Sequence, residues 1–215
     1  MFIFLSASEI RSQVYTLSYV DHGLEHYSYV NTDTKPDIKV QGNIYITENF
    51  IEGKIIDLKK NSRQPALLRY NAFDDVVEFK LNETMQPRIL PKLENIIYEF
   101  PDYKLTYYDW KDNDENLEPG YYLQYFSKDE LKLIAKPGLR MTELSKNFER
   151  NKSLSLFVDY NYYIIDNNKL TKIKIGKKDL KQMFQGNSEV LDYISKTKIE
   201  EVKDVRRVLE YYQNQ

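Results

Sequence analysis

Both histidines of the chain fall in one short motif, His22-Gly23-Leu24-Glu25-His26, with the spacing H-x-x-E-H. On a helix this spacing sets two imidazoles one turn apart on one face. The glutamate then lies beside them to activate a metal-bound water, the chemistry of a zinc hydrolase. The surroundings oppose a helix: Gly23 costs about 1 kcal/mol there, and Tyr19, Val20, Tyr27, Tyr29 and Val30 flank the motif. A third ligand would have to be an acid from far along the chain. The simpler expectation is a polar, extended segment, with no metal site and no cofactor.

Other reactive patterns are thin. Asp74-Asp75 and the run from Asp109 to Glu118 supply paired carboxylates. A glycosidase needs two such groups at a fixed separation in a cleft, and Asp74-Asp75 reads more simply as turn chemistry between two strands. The 109–118 run lacks the ligand spacing of a calcium loop. There is no G-x-S-x-G, no Walker A and no G-x-G-x-x-G. Zero cysteine excludes a disulfide framework, a thiolate metal site and a lipid anchor on an N-terminal Cys.

Two groups of residues suit contact rather than catalysis. Tyr107, Tyr108, Trp110, Tyr121, Tyr122, Tyr125 and Phe126 lie on two segments separated by the acidic loop. If those segments pair, alternation gives an aromatic stripe on each face, one for the core and one for a sugar ring or a protein. Lys169, Lys172, Lys174, Lys177, Lys178 and Lys181 form a basic stretch opposed only by Asp179. Lys172 and Lys174 share one strand face there. They either meet an anionic partner or guard a sheet edge against aggregation.

The elements that must position these groups are mostly strands. The 215 residues carry 31 basic and 33 acidic side chains, for a net charge of −2, which argues against a general nucleic-acid binder. Hydrophobic residues at 41% with 30% charged residues mark a folded chain, and no run reaches the ~20 apolar residues of a transmembrane helix. The 19 tyrosines suit half-buried strands. Strand patterns fall at 54–58, 66–70, 76–80, 96–100, 104–110, 120–127 and 131–136, with Asn61 to Pro65 a turn and Pro137-Gly138 an end. Residues 139–152 read as a loop or short helix through Met141, Leu144 and Phe148. A meander then follows over 153–159, 162–166 and 169–175. The period changes at Lys177: Leu180, Met183 and Phe184 fit one helix, Ser188 caps a second, and Thr197-x-x-Glu200 opens a third as a capping box.

The expected fold is therefore α+β, an antiparallel β-rich sheet or roll of about eight strands with a small C-terminal helical cap. Residues 43–176 form the β-rich domain and 177–213 the cap. Residues 14–42 form a poorly structured linker, with Pro36 opposing helix. Residues 1–13 carry a short apolar run, Phe2 to Leu5, followed by small residues. They read as the rear half of an export signal whose start lies upstream, or else as the first strand of a cytoplasmic protein.

Asn43-Ile44-Tyr45-Ile46, Phe50, Gly53-Lys54, Leu67-Leu68-Arg69-Tyr70-Asn71 and Asp74-Asp75-Val76-Val77-Glu78-Phe79 follow a recurring pattern. It resembles that of a group of exported, functionally uncharacterised proteins of Bacteroidota. The likeness spans most of 43–213, and 67–79 is its distinctive part. It implies an envelope location and a β-rich fold, and no activity. The sequence expectation is a non-enzymatic periplasmic or surface protein acting through an envelope protein or glycan, not nucleic acid. The alternatives are a zinc-dependent hydrolase using 22–26 and a cytoplasmic module binding an anionic partner through 169–181.

Overall fold

Period-two alternation carries into strands over most of the chain. The structure is a computed structural model and describes residues 30–31, 41–110, 117–144 and 153–215. The segment 1–13, most of the linker 14–42, and His22, Glu25 and His26 lie outside these residues. Twelve strands form one open sheet: β1 (Val30–Asn31), β2 (Gln41–Gly42), β3 (Ile51–Asp57), β4 (Ser62–Asn71), β5 (Val76–Lys80), β6 (Arg88–Ile89), β7 (Ile96–Glu99), β8 (Lys104–Tyr108), β9 (Gly120–Lys128), β10 (Leu131–Leu144), β11 (Ser153–Asp166) and β12 (Lys169–Ile173). The order across the sheet is β1-β6-β5-β4-β3-β7-β8-β9-β10-β11-β12, with β2 beside β11. All pairs are antiparallel except β2 with β11. Helices α1 (Lys177–Met183), α2 (Ser188–Lys196) and α3 (Val202–Tyr212) follow. None of these helices is long and apolar enough to cross a membrane.

One cross-strand row organises the inner face. Ile55, Tyr98, Leu105, Leu123, Ala135, Tyr162 and Ile173 stand opposite one another from β3 to β12. On the other face the neighbouring row reads Lys54, Glu99, Lys104 and Gln124. Adjacent positions thus separate apolar from polar, as a half-solvated sheet requires. The sheet is strongly curled. β4 and β9 are four positions apart in strand order, about 19 Å in a flat sheet. Yet the rings of Tyr70 and Tyr121 meet edge-on with centroids 6.3 Å apart. The curl encloses a core of Leu68, Tyr70, Val77, Phe79, Tyr98, Leu105, Tyr121 and Leu123. Farther along the same face, Leu131, Leu133, Ile164 and Ile173 bury the apolar stripes of α1 to α3, chiefly Leu180, Val190, Ile194, Val205 and Leu209. Tyr125 and Tyr162 belong to both cores and join them. A bulge where β9 meets β10, at Leu133/Ile134, adjusts the register at this junction.

The chain from Asn43 to Phe50 straps the curl. Asn43 N donates to Leu156 O on β11 at 3.1 Å, and Ile46 N donates to Tyr70 O on β4 at 3.3 Å. Arg69 holds the strap from below. Its guanidinium lies 3.9 Å from the Tyr45 ring centroid and 4.4 Å from that of Phe50, and it donates to Glu48 O at 3.2 Å. Gly42 (φ +129) makes the entry feasible, because a Cβ there would collide with the Leu156 carbonyl.

Several expectations are corrected. The sheet has twelve strands rather than about eight. β4 runs through Pro65, and β10 runs through Pro137 and Gly138 to Leu144. Both prolines stand where their strand has a partner on one side only, opposite Lys54 and Tyr160, so the missing N–H breaks no ladder. Residues 139–144 are therefore strand, and β11 is one strand over 153–166 without the expected turn near 160. The pairing from Lys132 opposite Ile165 to Leu144 opposite Ser153 overrides the local signals. Asn187, not Ser188, caps α2 through its side chain, which accepts from Val190 N. The capping box of α3 is Glu201 with Asp204, while Thr197 ends α2. Between them Ile199 is buried in the second core, which keeps 197–200 extended.

Backbone N–H groups of Glu200 and Glu201, then the Arg207 guanidinium, hold the Asp204 carboxyl down to about 2, from 3.8. A depressed pKa stabilises the fold above the unfolded value, and that contribution is lost as pH falls through the folded value. In urea titrations Asp204→Ala should be less stable than the wild type at neutral pH. The gap should close between about pH 4 and pH 2.

Candidate functional site

Several ionisable side chains gather around Asp75, in the turn between β4 and β5. Asn71 builds the turn: its side-chain oxygen accepts from Phe73 N at 2.9 Å and Asp74 N at 3.2 Å, and its amide donates to Asp74 at 2.8 Å. Asp74 is thereby used locally, and Asp75 (φ +52) points across the curl. Its Oδ1 accepts from the Tyr70 hydroxyl at 2.6 Å, from Tyr121 N at 3.1 Å and from Lys136 Nζ at 3.4 Å. Its Oδ2 accepts from Lys92 Nζ at 2.9 Å. One carboxylate thus joins β4, β9, β10 and the segment before β7. Lys136 reaches it over Gly120 (φ +152), where any Cβ would collide with the ammonium and lie 2.5 Å from Asp75 Oδ2. Burial pushes the Lys136 ammonium below its ordinary value, against the upward pull of Asp75. Burial, then the Asp75 charge, pushes the Tyr70 hydroxyl far up, so it stays a donor. Every Asp75 oxygen is occupied by donors of the same fold, so the arrangement is a latch rather than an acid–base pair.

The sequence-nominated aromatics divide between the two faces. β8 and β9 do pair, with Tyr107 opposite Tyr121 and Thr106 opposite Tyr122. Tyr107, Tyr121 and Tyr125 face the inner core. Tyr108, Trp110 and Tyr122 cluster on the other face. Tyr108 and Trp110 stack at 4.7 Å and 14°, and Tyr122 meets both edge-on. Tyr121 and Tyr122 are 1% exposed, so they are core residues and offer no contact surface. Tyr108 and Trp110 are half-buried. Lys172 and Lys174 are exposed, Lys172 with its ammonium 6.0 Å from the Tyr163 ring centroid.

A cleft of about 1030 Å³ opens toward the opposite end of the same strands. Gly53 on β3, Ala66 on β4, the β7–β8 turn from Glu99 to Lys104, Gln124 to Ser127 on β9, and Arg206 on α3 line it. Its base is aromatic: Phe100 and Tyr103 stack at 4.8 Å, and Tyr103 meets Tyr125 edge-on at 6.0 Å. Burial, with Tyr160 and Asp102 adding to it, raises the Tyr103 hydroxyl well above the usual tyrosine range. The rim carries both signs, and Glu99 bridges Lys54 at 3.4 Å and Lys104 at 3.6 Å. Tyr125 and Phe126 were legible in the sequence; Tyr103 and Arg206 were not, because only the fold brings them to one cleft. Asp75 read as turn chemistry alone. The doubled aspartate was the available signal, since one carboxylate suffices for the turn.

Among the described residues no group of three His, Asp or Glu side chains could hold a metal ion. No protein-family model matches the chain, and neither a curated protein nor a solved structure is detectably similar to it.

Removing Asp75 leaves Lys136 largely buried without its counter-charge. Asp75→Ala should cost about 2–3 kcal/mol in urea unfolding, below the full buried-pair cost because both groups keep some exposure. Lys136→Met in the same chain should recover part of that loss, since an apolar pair of similar volume tolerates the site.

Proposed function

We propose that this protein is a non-enzymatic component of the cell envelope, periplasmic or surface-exposed, that binds a protein or glycan partner in the cleft at the open end of the curled sheet. The cleft itself is the observation that carries this reading. It is concave, its base is stacked aromatic rings, and on its rim Glu99 bridges Lys54 and Lys104. Such surfaces give large contact area at low entropic cost. The rim carboxylate Glu99 sits between two lysines, which suits orientation of a partner better than proton transfer. The short apolar run Phe2 to Leu5 and the likeness of 67–79 to exported proteins support the location.

Photo-crosslinking residues placed at Asp102 or Ser127, on the cleft, should give discrete adducts in the native envelope. One at Leu58, exposed at the other end of β3, should not. Ser127→Trp puts an indole at the cleft mouth. It should cut adduct yield by roughly tenfold, the effect of ~1.4 kcal/mol, without moving the urea midpoint. Equal adducts from Leu58, or no effect of Ser127→Trp, would contradict the reading.

A further inference from the structure

Two strands of the sheet outrun the hairpin between them. β7 pairs with β3 as far as Glu99 opposite Lys54, and β8 pairs with β9 as far as Lys104 opposite Gln124. Phe100 N donates to Tyr103 O at 2.9 Å and closes the β7–β8 turn there. β3 nevertheless begins at Ile51, and β9 runs on to Lys128. Over these ends each strand is paired on its far side only among the described residues, with β4 and with β10. Glu52 and Gly53 of one end and Tyr125 to Ser127 of the other line the cleft. The cleft is therefore a gap in the sheet, floored by the β7–β8 turn, with an unpaired strand edge on each wall.

Alternation sets the direction of the backbone groups on the β3 wall. In an antiparallel ladder one residue turns its N–H and C=O to one neighbour, and the next residue turns them to the other. Leu58 N, just past β3, donates to Asn95 O at 2.9 Å, on the β7 side. Ile56, Lys54 and Glu52 face the same side. Pro65 stands opposite Lys54 on β4 and agrees with this, since a proline nitrogen has no bond to give to β3. Glu52 thus turns its N–H and C=O into the gap, beyond the last residue that β7 pairs.

An extended peptide matches such an edge, because it adds a strand through its own backbone. The walls also specify its side chains. Tyr103 and Tyr125 pack on the first core at the inner face. Lys54, Glu99, Lys104 and Gln124 form the polar row on the outer face. Successive side chains of an inserted strand point to opposite faces, so the matching segment alternates apolar and polar residues.

We propose that the cleft takes an extended segment of a partner protein, alternating apolar and polar residues, that pairs with β3 at Glu52. The proposal rests on the cleft being the binding site, and it names a peptide rather than a glycan as the occupant.

Selection of a random dodecapeptide phage library on the full chain tests this. Enriched peptides should alternate apolar and polar residues. A synthetic copy of the most enriched one should bind the chain and slow amide exchange at Glu52. Methylating its backbone nitrogens one at a time should give losses that alternate along the peptide, about tenfold where the N–H faces β3, the effect of one backbone hydrogen bond. Glu52→Pro removes an N–H that no ladder uses, so it should lower affinity by about tenfold with the urea midpoint unchanged. Glu52→Ala keeps that N–H and should keep the binding. Where Glu52→Pro costs the fold, judged by circular dichroism, the methylation series on the unaltered chain decides. Losses without alternation, or no added protection at Glu52, would overturn the proposal. So would a Glu52 amide already protected in the free chain, or self-association that Glu52→Pro abolishes, since the chain itself then fills the gap. No enriched peptide, with crosslinked adducts at Asp102 and Ser127 still present, would overturn the peptide and leave the cleft as the binding site. Absence of those adducts as well would overturn both.

Discussion

The Asp75 carboxylate is the constraint on which the curled sheet depends. A sheet of this size has no intrinsic reason to bring β4 within ring contact of β9. Twist accumulates gradually between neighbouring strands, whereas the Tyr70–Tyr121 contact skips the three strands between β4 and β9. Asp75 makes that approach specific. It takes a hydroxyl from β4, a backbone N–H from β9 and two ammonium groups from beyond both. A half-buried carboxylate with fewer donors would be a liability. With its donors in place it selects one curvature, because each partner lies on a different element.

The other features follow from that curvature. The inner row from Ile55 to Ile173 becomes a concave apolar wall, closed at one end by the latch and continued at the other by the helical cap. The strap from Asn43 to Phe50 ties β4 to β11 at a point the sheet ladder cannot reach. The cleft opens between the segments around Gly53, Tyr103 and Ser127 and Arg206 of α3. Its aromatic base and the Lys54–Glu99–Lys104 bridge on its rim come from opposite faces of the same strands. A single curled layer can therefore offer an apolar floor and a polar edge side by side.

Much of the architecture was legible in the sequence where the signal was local. Alternation identified β5 and β8, and helical spacing identified Leu180, Met183 and Phe184 on α1. The separation of Tyr107 and Tyr121 from Tyr108 and Trp110 followed from period two once the strands were taken to pair. What stayed hidden was decided by distant partners. Pro65 and Pro137 read as breaks because a proline in a strand is acceptable only when the other edge is unpaired, and that is a property of the neighbours. Glu201 and Asp204 form the capping box in place of Thr197 and Glu200, with Ile199 drawn into the second core. Asp75 and Lys136 are 61 residues apart, and no pattern announces such a pair.

Amide hydrogen exchange on Asp75→Ala tests the central claim most directly. If the carboxylate holds the curl, protection should fall together in β4, β5, the start of β9 around Tyr121, and β10 around Lys136. The helical cap, whose core lies elsewhere, should keep its protection. Loss confined to the turn from Asn71 to Val76, with β9 and β10 unchanged, would show that Asp75 merely shapes its own turn and that the curvature has another cause.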